Sequence, residues 1–298
     1  MIQQFIDSWD LFHAGYVEGW LIGLLLSMIG VIVVARDQIF VGAAVSQAST
    51  LGIALALCLA GLLPVHEHGP GDNMTDTWIH SDSFESTMAV LFSVLAALVT
   101  AQSGLIRHES HEAVTGWVFL ISSSLSVLIV AHSPIGLEQV HRLHSSSIIG
   151  ATFVDNMVFC VLTVLTVVGV LVFHRRLLLF SLDPPMAAAV GMRTTVWGVA
   201  IALWLGLSVG LSIRSSGMLY TFGTLVLPAL LAKNLCREVR PMFLVSPAIM
   251  LVTSLVGFIW ANYFDYPPAQ MTVALLSTLL LLAWLTKWLR RSMAVPRE

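Results

Sequence analysis

The side chains best equipped for chemistry sit in a polar stretch between two apolar runs, LLPVHEHGPGDNMTDTWIHSDSFE. His66, Glu67, His68, Asp72, Asp76, His80 and Asp82 fall within 17 positions there. Imidazole nitrogen and carboxylate oxygen are the donors that divalent ions such as zinc and manganese accept. The glycines and aspartates would let the backbone fold His66, Glu67, His68 and His80 toward one ion. The plainer alternative is a solvated loop that is polar because it faces water. A second group, His108, Glu109, His111 and Glu112, looks like a helical metalloprotease motif, but its spacing is wrong. That chemistry needs two histidines four apart on one helix face, and these are three apart, so a solvated helix end is expected.

What is missing from the apolar runs is as informative. Ionisable residues inside a membrane normally mark function, yet none lies near the middle of any run. Asp155 is a few residues into its run, either as an interfacial structural residue or as part of a pathway, and Arg214 falls between two runs. Carriers driven by proton or sodium gradients commonly use a mid-membrane carboxylate, so the energy for any transport must come from elsewhere. No Ser-His-Asp arrangement, phosphate-binding Gly-rich loop or dinucleotide motif is present. The chain is therefore not expected to be an enzyme, nor to hold an ATP site or cofactor of its own.

The elements that must position these residues follow from composition. Of 298 residues, 57% are hydrophobic and only 10% charged, with a mean hydropathy of +0.88. A soluble domain carries about 25% charged residues. The deficit excludes a cytoplasmic enzyme and a disordered regulator, and the net charge of -3 without a basic patch excludes a nucleic-acid binder. Spans of about 20 apolar residues cross a bilayer core. Such runs lie at about 17–35, 39–63, 86–106, 113–131, 152–173, 195–213, 217–235, 243–264 and 271–289. They are too long for barrel strands and lack alternation. The expected fold is all-α, a polytopic membrane helical bundle of about nine transmembrane helices.

Orientation follows from the basic residues. With the N-terminus outside and the C-terminus cytoplasmic, all of the fourteen Lys and Arg except Arg142 and Arg214 fall on the inner side. Residues 1–16 lack Lys and Arg and so lack a signal peptide's basic start. Ile2, Phe5, Ile6, Trp9 and Phe12 instead recur at helical spacing, as in an interfacial amphipathic helix. Residues 17–290 then form the membrane domain and 291–298 a cytoplasmic tail. Cys58, Cys160 and Cys236 lie in or beside apolar runs and offer no disulfide framework.

Two further segments look organised. In the inner loop FSLDPPMAAAVGM, Asp183 suits a helix N-cap, Pro184 and Pro185 suit the first turn, and Gly191 suits a stop. A short helix from Asp183 through Met186 to Gly191, with an apolar face on the cytoplasmic side, implies docking. In GMLYTFGTLVLPALLA, Gly217, Gly223 and Pro228 interrupt an apolar helix. They serve either close packing or a hinge.

Four stretches together resemble the membrane permease of bacterial metal-ion ABC importers for zinc, manganese or iron. They are IFVGAAVSQASTLGIALA (39–56), FSLDPPMAAAVGM (180–192), SSGMLYTFGTLVLPALLAKNL (215–235) and ANYFDYPPAQMTVAL (261–275), in the family's order. The resemblance implies a multi-pass protein of the bacterial inner membrane, working as a homodimer with the pathway between copies. Two ATPase subunits would bind ATP and drive alternating access through a coupling helix at 183–191. A periplasmic binding protein would deliver a divalent metal ion. It also implies a pathway along the second helix, at Ala43, Ser46 and Gln47, where many members carry Asp and His one turn apart. Ala43 and Gln47 depart from that pattern, as Pro185 departs from the family's Glu. The departure leaves open a metal chelate or other small solute as cargo. A secondary carrier would need activity without any ATPase.

Overall fold

The computed structural model describes residues 9–62, 82–102, 110–131 and 152–294. Among them are nine helices and no strand: α1 (Trp9–Ala35), α2 (Ile39–Leu62), α3 (Asp82–Ala101), α4 (His111–Ala131), α5 (Phe153–Leu182), α6 (Pro184–Ala189), α7 (Thr194–Leu235), α8 (Val239–Phe264) and α9 (Pro268–Ala294). All but α6 are long and apolar enough to cross a membrane. At 42 residues, α7 would run about 63 Å if straight, twice the roughly 30 Å apolar core. It carries one non-helical residue, Gly217, at φ 79° and ψ 165°. The expected pair of spans at 195–213 and 217–235 is thus one element with a break, and the described residues hold eight candidate spans rather than nine.

The chain divides into two units. The first contains α1, α5, the end of α7 from Gly223, α8 and α9. Here α1 carries no charged residue from Gly19 to Ala35 and is enclosed by neighbours, with Ile22, Leu25, Leu26, Val31 and Val34 fully buried. It runs antiparallel to α8. Tyr16 and Trp20 pack on Phe258, Gly23 meets Met250, and Ser246 Oγ donates to the Ser27 carbonyl at 3.0 Å. It runs parallel to α5, because Asn156 Nδ2 donates to the Ala14 carbonyl and Thr163 Oγ1 to that of Leu21. No helix boundary falls at Tyr16, so the described part of the N-terminal segment is continuous with the first span. Where α1 ends, the Arg36 guanidinium lies 4.6 Å over the Phe180 ring, and burial lowers its pKa. Asp37 adopts φ 53° and pairs with Lys233 at 2.8 Å.

The second unit contains α2, α3, α4, α6 and α7 as far as Phe222. α2 packs on α3 and α4, and Gly52 lets the Met88 carbonyl of α3 approach its backbone. α3 lies antiparallel to α7, with Gly206 beside Val94 and Gly210 beside Val90. The close approach permits Ser93 Oγ to donate to the Gly206 carbonyl at 2.6 Å. Small residues serve this purpose in membrane bundles, where lipid is as apolar as the side chains and packing supplies the attraction. Most buried hydroxyls are satisfied within their own helix, as Thr50, Thr100, Thr166 and Ser212 bond carbonyls four residues back.

A Cβ at Gly30 would collide with the backbone carbonyl of Leu225, and one at Gly206 would lie 2.6 Å from the Cα of Val94. Neither neighbour can swing aside. Replacing either glycine by Val should therefore cost at least about 1–3 kcal/mol, seen as a lowered thermal unfolding midpoint of the purified protein in detergent. At Gly116 and Gly169, by contrast, an added Cβ would meet no heavy atom within 4 Å. Gly169→Ala should leave the midpoint unchanged or raise it slightly, because alanine favours helix.

Candidate functional site

Between Val41 and Ala54 every residue of α2 is buried except Ala43 and Gln47. These two stand one turn apart and so share a face. The only opening along that stretch is therefore at the pair implied by the resemblance as lining a pathway. Ser46 beside them is 1% exposed, and its hydroxyl has no hydrogen-bond partner among the described residues. The same holds for Ser49 and Ser208. Gln47 reaches across its unit and donates from Nε2 to Met218 Sδ at 3.2 Å. The nitrogen belongs on that side because an amide oxygen would set lone pairs against lone pairs.

Met218 owes its position to the break before it. Gly217 takes φ 79°, ψ 165°, a region open in practice to glycine alone. Hydroxyls hold the helix on both sides. Ser216 Oγ donates to the Ser212 carbonyl, Thr221 Oγ1 donates to that of Gly217, and the two hydroxyls lie 3.2 Å apart. They occupy polar groups that a broken helix would otherwise leave exposed to an apolar interior. Sequence reasoning singled out Gly217 but not Met218. The available signal was adjacency, since the residue that follows a glycine break is aimed by it.

The short helix expected after α5 is present as α6. Asp183 caps it, accepting from the Met186 amide at 2.9 Å, with proline at the first positions. Gly191 ends it at φ 84°. Met192 N donates to the Ala187 carbonyl and Gly191 N to that of Ala188, the paired bonds of a Schellman stop. Ala187 is fully buried, whereas Leu182, Met186 and Val190 are 61%, 51% and 56% exposed. Met186 and Val190, four apart, place two exposed apolar side chains on one side of α6.

The other expected residues are not gathered with these. Asp155 belongs to the first unit, where its carboxylate accepts from the amide and hydroxyl of Thr152 and its own amide donates back to Thr152 Oγ1. That reciprocal pattern starts α5. Gly223, also in the first unit, packs on Val273, and Pro228 lies inside the helix. His66, Glu67, His68 and His80 lie outside the described residues, as do His108 and Glu109. His111 and Glu112 begin α4, whose Ala113 amide is capped by Ser110 Oγ. No group of three His, Cys, Asp or Glu side chains that could hold a metal ion occurs among the described residues. One residue went unremarked in the sequence: Glu18, 1% exposed. It shares the face of Ala14 and Leu21 that packs on α5.

Comparison with known proteins follows the same lines. The sequence pattern of the ABC 3 transport family matches residues 8–287. The manganese import system permease protein ScaB of Streptococcus gordonii is 24% identical over 285 residues, covering 95% of this chain and 94% of its own. The manganese transport system membrane protein MntB of a Synechocystis strain is 24% identical over 211 residues, 67% of this chain and 69% of its own. Among solved structures, PsaBC from Streptococcus pneumoniae in complex with Fab has the same fold, with a TM-score of 0.74 at 19% identity over 95% of each chain. With a match that runs nearly end to end, the chain belongs to the ABC 3 transport family, as a metal-ion ABC permease.

Proposed function

We propose that this permease moves a divalent metal ion, manganese or zinc, across the bacterial inner membrane by alternating access. A separate ATPase supplies the energy, and a periplasmic binding protein delivers the ion. The observation that carries the reading is the opening at Ala43 and Gln47 in the otherwise buried stretch of α2 from Val41 to Ala54. Manganese is favoured by the names of the relatives. The exposed side chains of Met186 and Val190 on α6 suit docking of an ATPase that would transmit its motion through that helix. The exposed valines and leucines of α5, such as Val161, Leu165 and Leu171, suit lipid or a second copy of the chain. The basic residues orient the protein with its C-terminus in the cytoplasm.

One observation favours a second cargo. A methyl group at Ala43 and a neutral amide at Gln47 supply no negative charge, and a bare divalent ion leaving water loses much hydration energy. A metal chelate or other small solute, already stripped of bare charge, would pass such a lining more readily.

Elemental analysis of cells with and without the gene, grown in metal-depleted medium and supplied with free or chelated metal, separates the two. The metal-ion reading predicts a selective fall in manganese or zinc that the restored gene reverses. An unchanged metal content would transfer the assignment to a non-metal solute, and uptake from chelated but not from free metal would assign a chelate.

The docking role of α6 has its own test. Asp183→Ala removes the cap, worth about 1 kcal/mol. Amide hydrogen exchange at Met186–Ala189 should accelerate, and association with the ATPase should weaken, whereas Asp183→Asn should retain both. Full ATPase association by Asp183→Ala with a frayed α6 would remove the coupling role.

A further inference from the structure

We propose that Met218 sets the cargo selectivity of this permease, its thioether joining Gln47 as a direct contact of the passing ion. The inference rests on the transport reading above and goes beyond it by naming a residue and an ion class.

Three observations carry it. Met218 Sδ lies 3.2 Å from Gln47 Nε2, so the sulfur occupies the opening on α2. Both side chains are partly exposed, while Ser46, Ala48, Ser216 and Tyr220 around them are buried. The third is the break at Gly217, which fixes where Met218 begins the next helical segment. A thioether is a weak acceptor, so its bond to the amide yields easily to an incoming ion. When the Gln47 amide turns its oxygen toward that ion, the site offers one neutral oxygen and one soft sulfur. Manganese suits carboxylate, carbonyl and water, whereas thioether sulfur suits softer ions. A lining without anionic oxygen and with sulfur therefore shifts preference toward the soft end of the divalent series, relative to a site made of carboxylate and imidazole.

The test uses the full-length protein in its own host, with the chromosomal copy deleted and its partner subunits intact. Manganese and cadmium, a soft divalent probe, are supplied together, and the accumulated ratio of cadmium to manganese is read by elemental analysis. Met218→Leu keeps the shape and removes the sulfur. Met218→Gln replaces the sulfur with a harder oxygen. A ratio cancels differences in membrane abundance, so partial loss of folded protein does not obscure the result. The proposal predicts a fall in that ratio of roughly tenfold in both variants. An unchanged ratio with uptake intact overturns the role of Met218 and leaves the permease reading standing. If the wild-type gene brings in neither metal, the metal-ion reading itself fails and takes this inference with it.

Discussion

Gly217 is the constraint on which the second unit's site depends. A 42-residue apolar helix cannot stay regular within a single bilayer crossing, and Gly217 is its one non-helical residue. With φ at 79° and ψ at 165°, any side chain there would be strained. From that one backbone conformation follow the place of Met218, its contact with Gln47, and the hydroxyl bonds of Ser216 and Thr221 that hold the helix on either side. Five residues later, between Phe222 and Gly223, the chain passes from one unit to the other.

A second constraint is that polar groups in an apolar interior must be satisfied locally. This bundle does so mainly with serine and threonine, which bond carbonyls of their own helix or, at glycine contacts, of a neighbour. Ser93 on Gly206, Ser246 on Ser27 and Thr163 on Leu21 are cross-helix cases. The hydroxyls of Ser46, Ser49 and Ser208 have no such partner among the described residues. All three belong to the unit that holds the opening at Gln47. Glu18, 1% exposed, is the one fully buried carboxylate among the described residues, and the remaining buried polar side chains are hydroxyls.

Local features were legible in the sequence and long-range ones were not. Asp183, the two prolines and Gly191 announce α6 because capping and stopping are decided by neighbours within a few residues. Gly217 was legible as one of three residues that interrupt an apolar helix, for packing or as a hinge, although the sequence did not single it out from Gly223 and Pro228 as the place of the break. The contact of Gln47 with Met218 joins residues 171 apart, and no local pattern encodes it. Burial of Glu18 was equally hidden, because a lone acid near the end of a span reads as solvated until the face it occupies is known. The reciprocal bonds of Asp155 with Thr152, by contrast, were legible, since Thr-x-x-Asp before an apolar run is the spacing of a capping box.

The central claim is that Gln47 and Met218 meet in the path of the cargo. The most direct test replaces both with cysteine, in a chain whose Cys58, Cys160 and Cys236 have been changed to serine, and bridges the pair with a short, reducible thiol crosslinker. The bridge is expected to form readily, to stop metal uptake by intact cells, and to release that block on reduction. A bridge that forms while uptake continues, or a pair that never bridges, would contradict the claim.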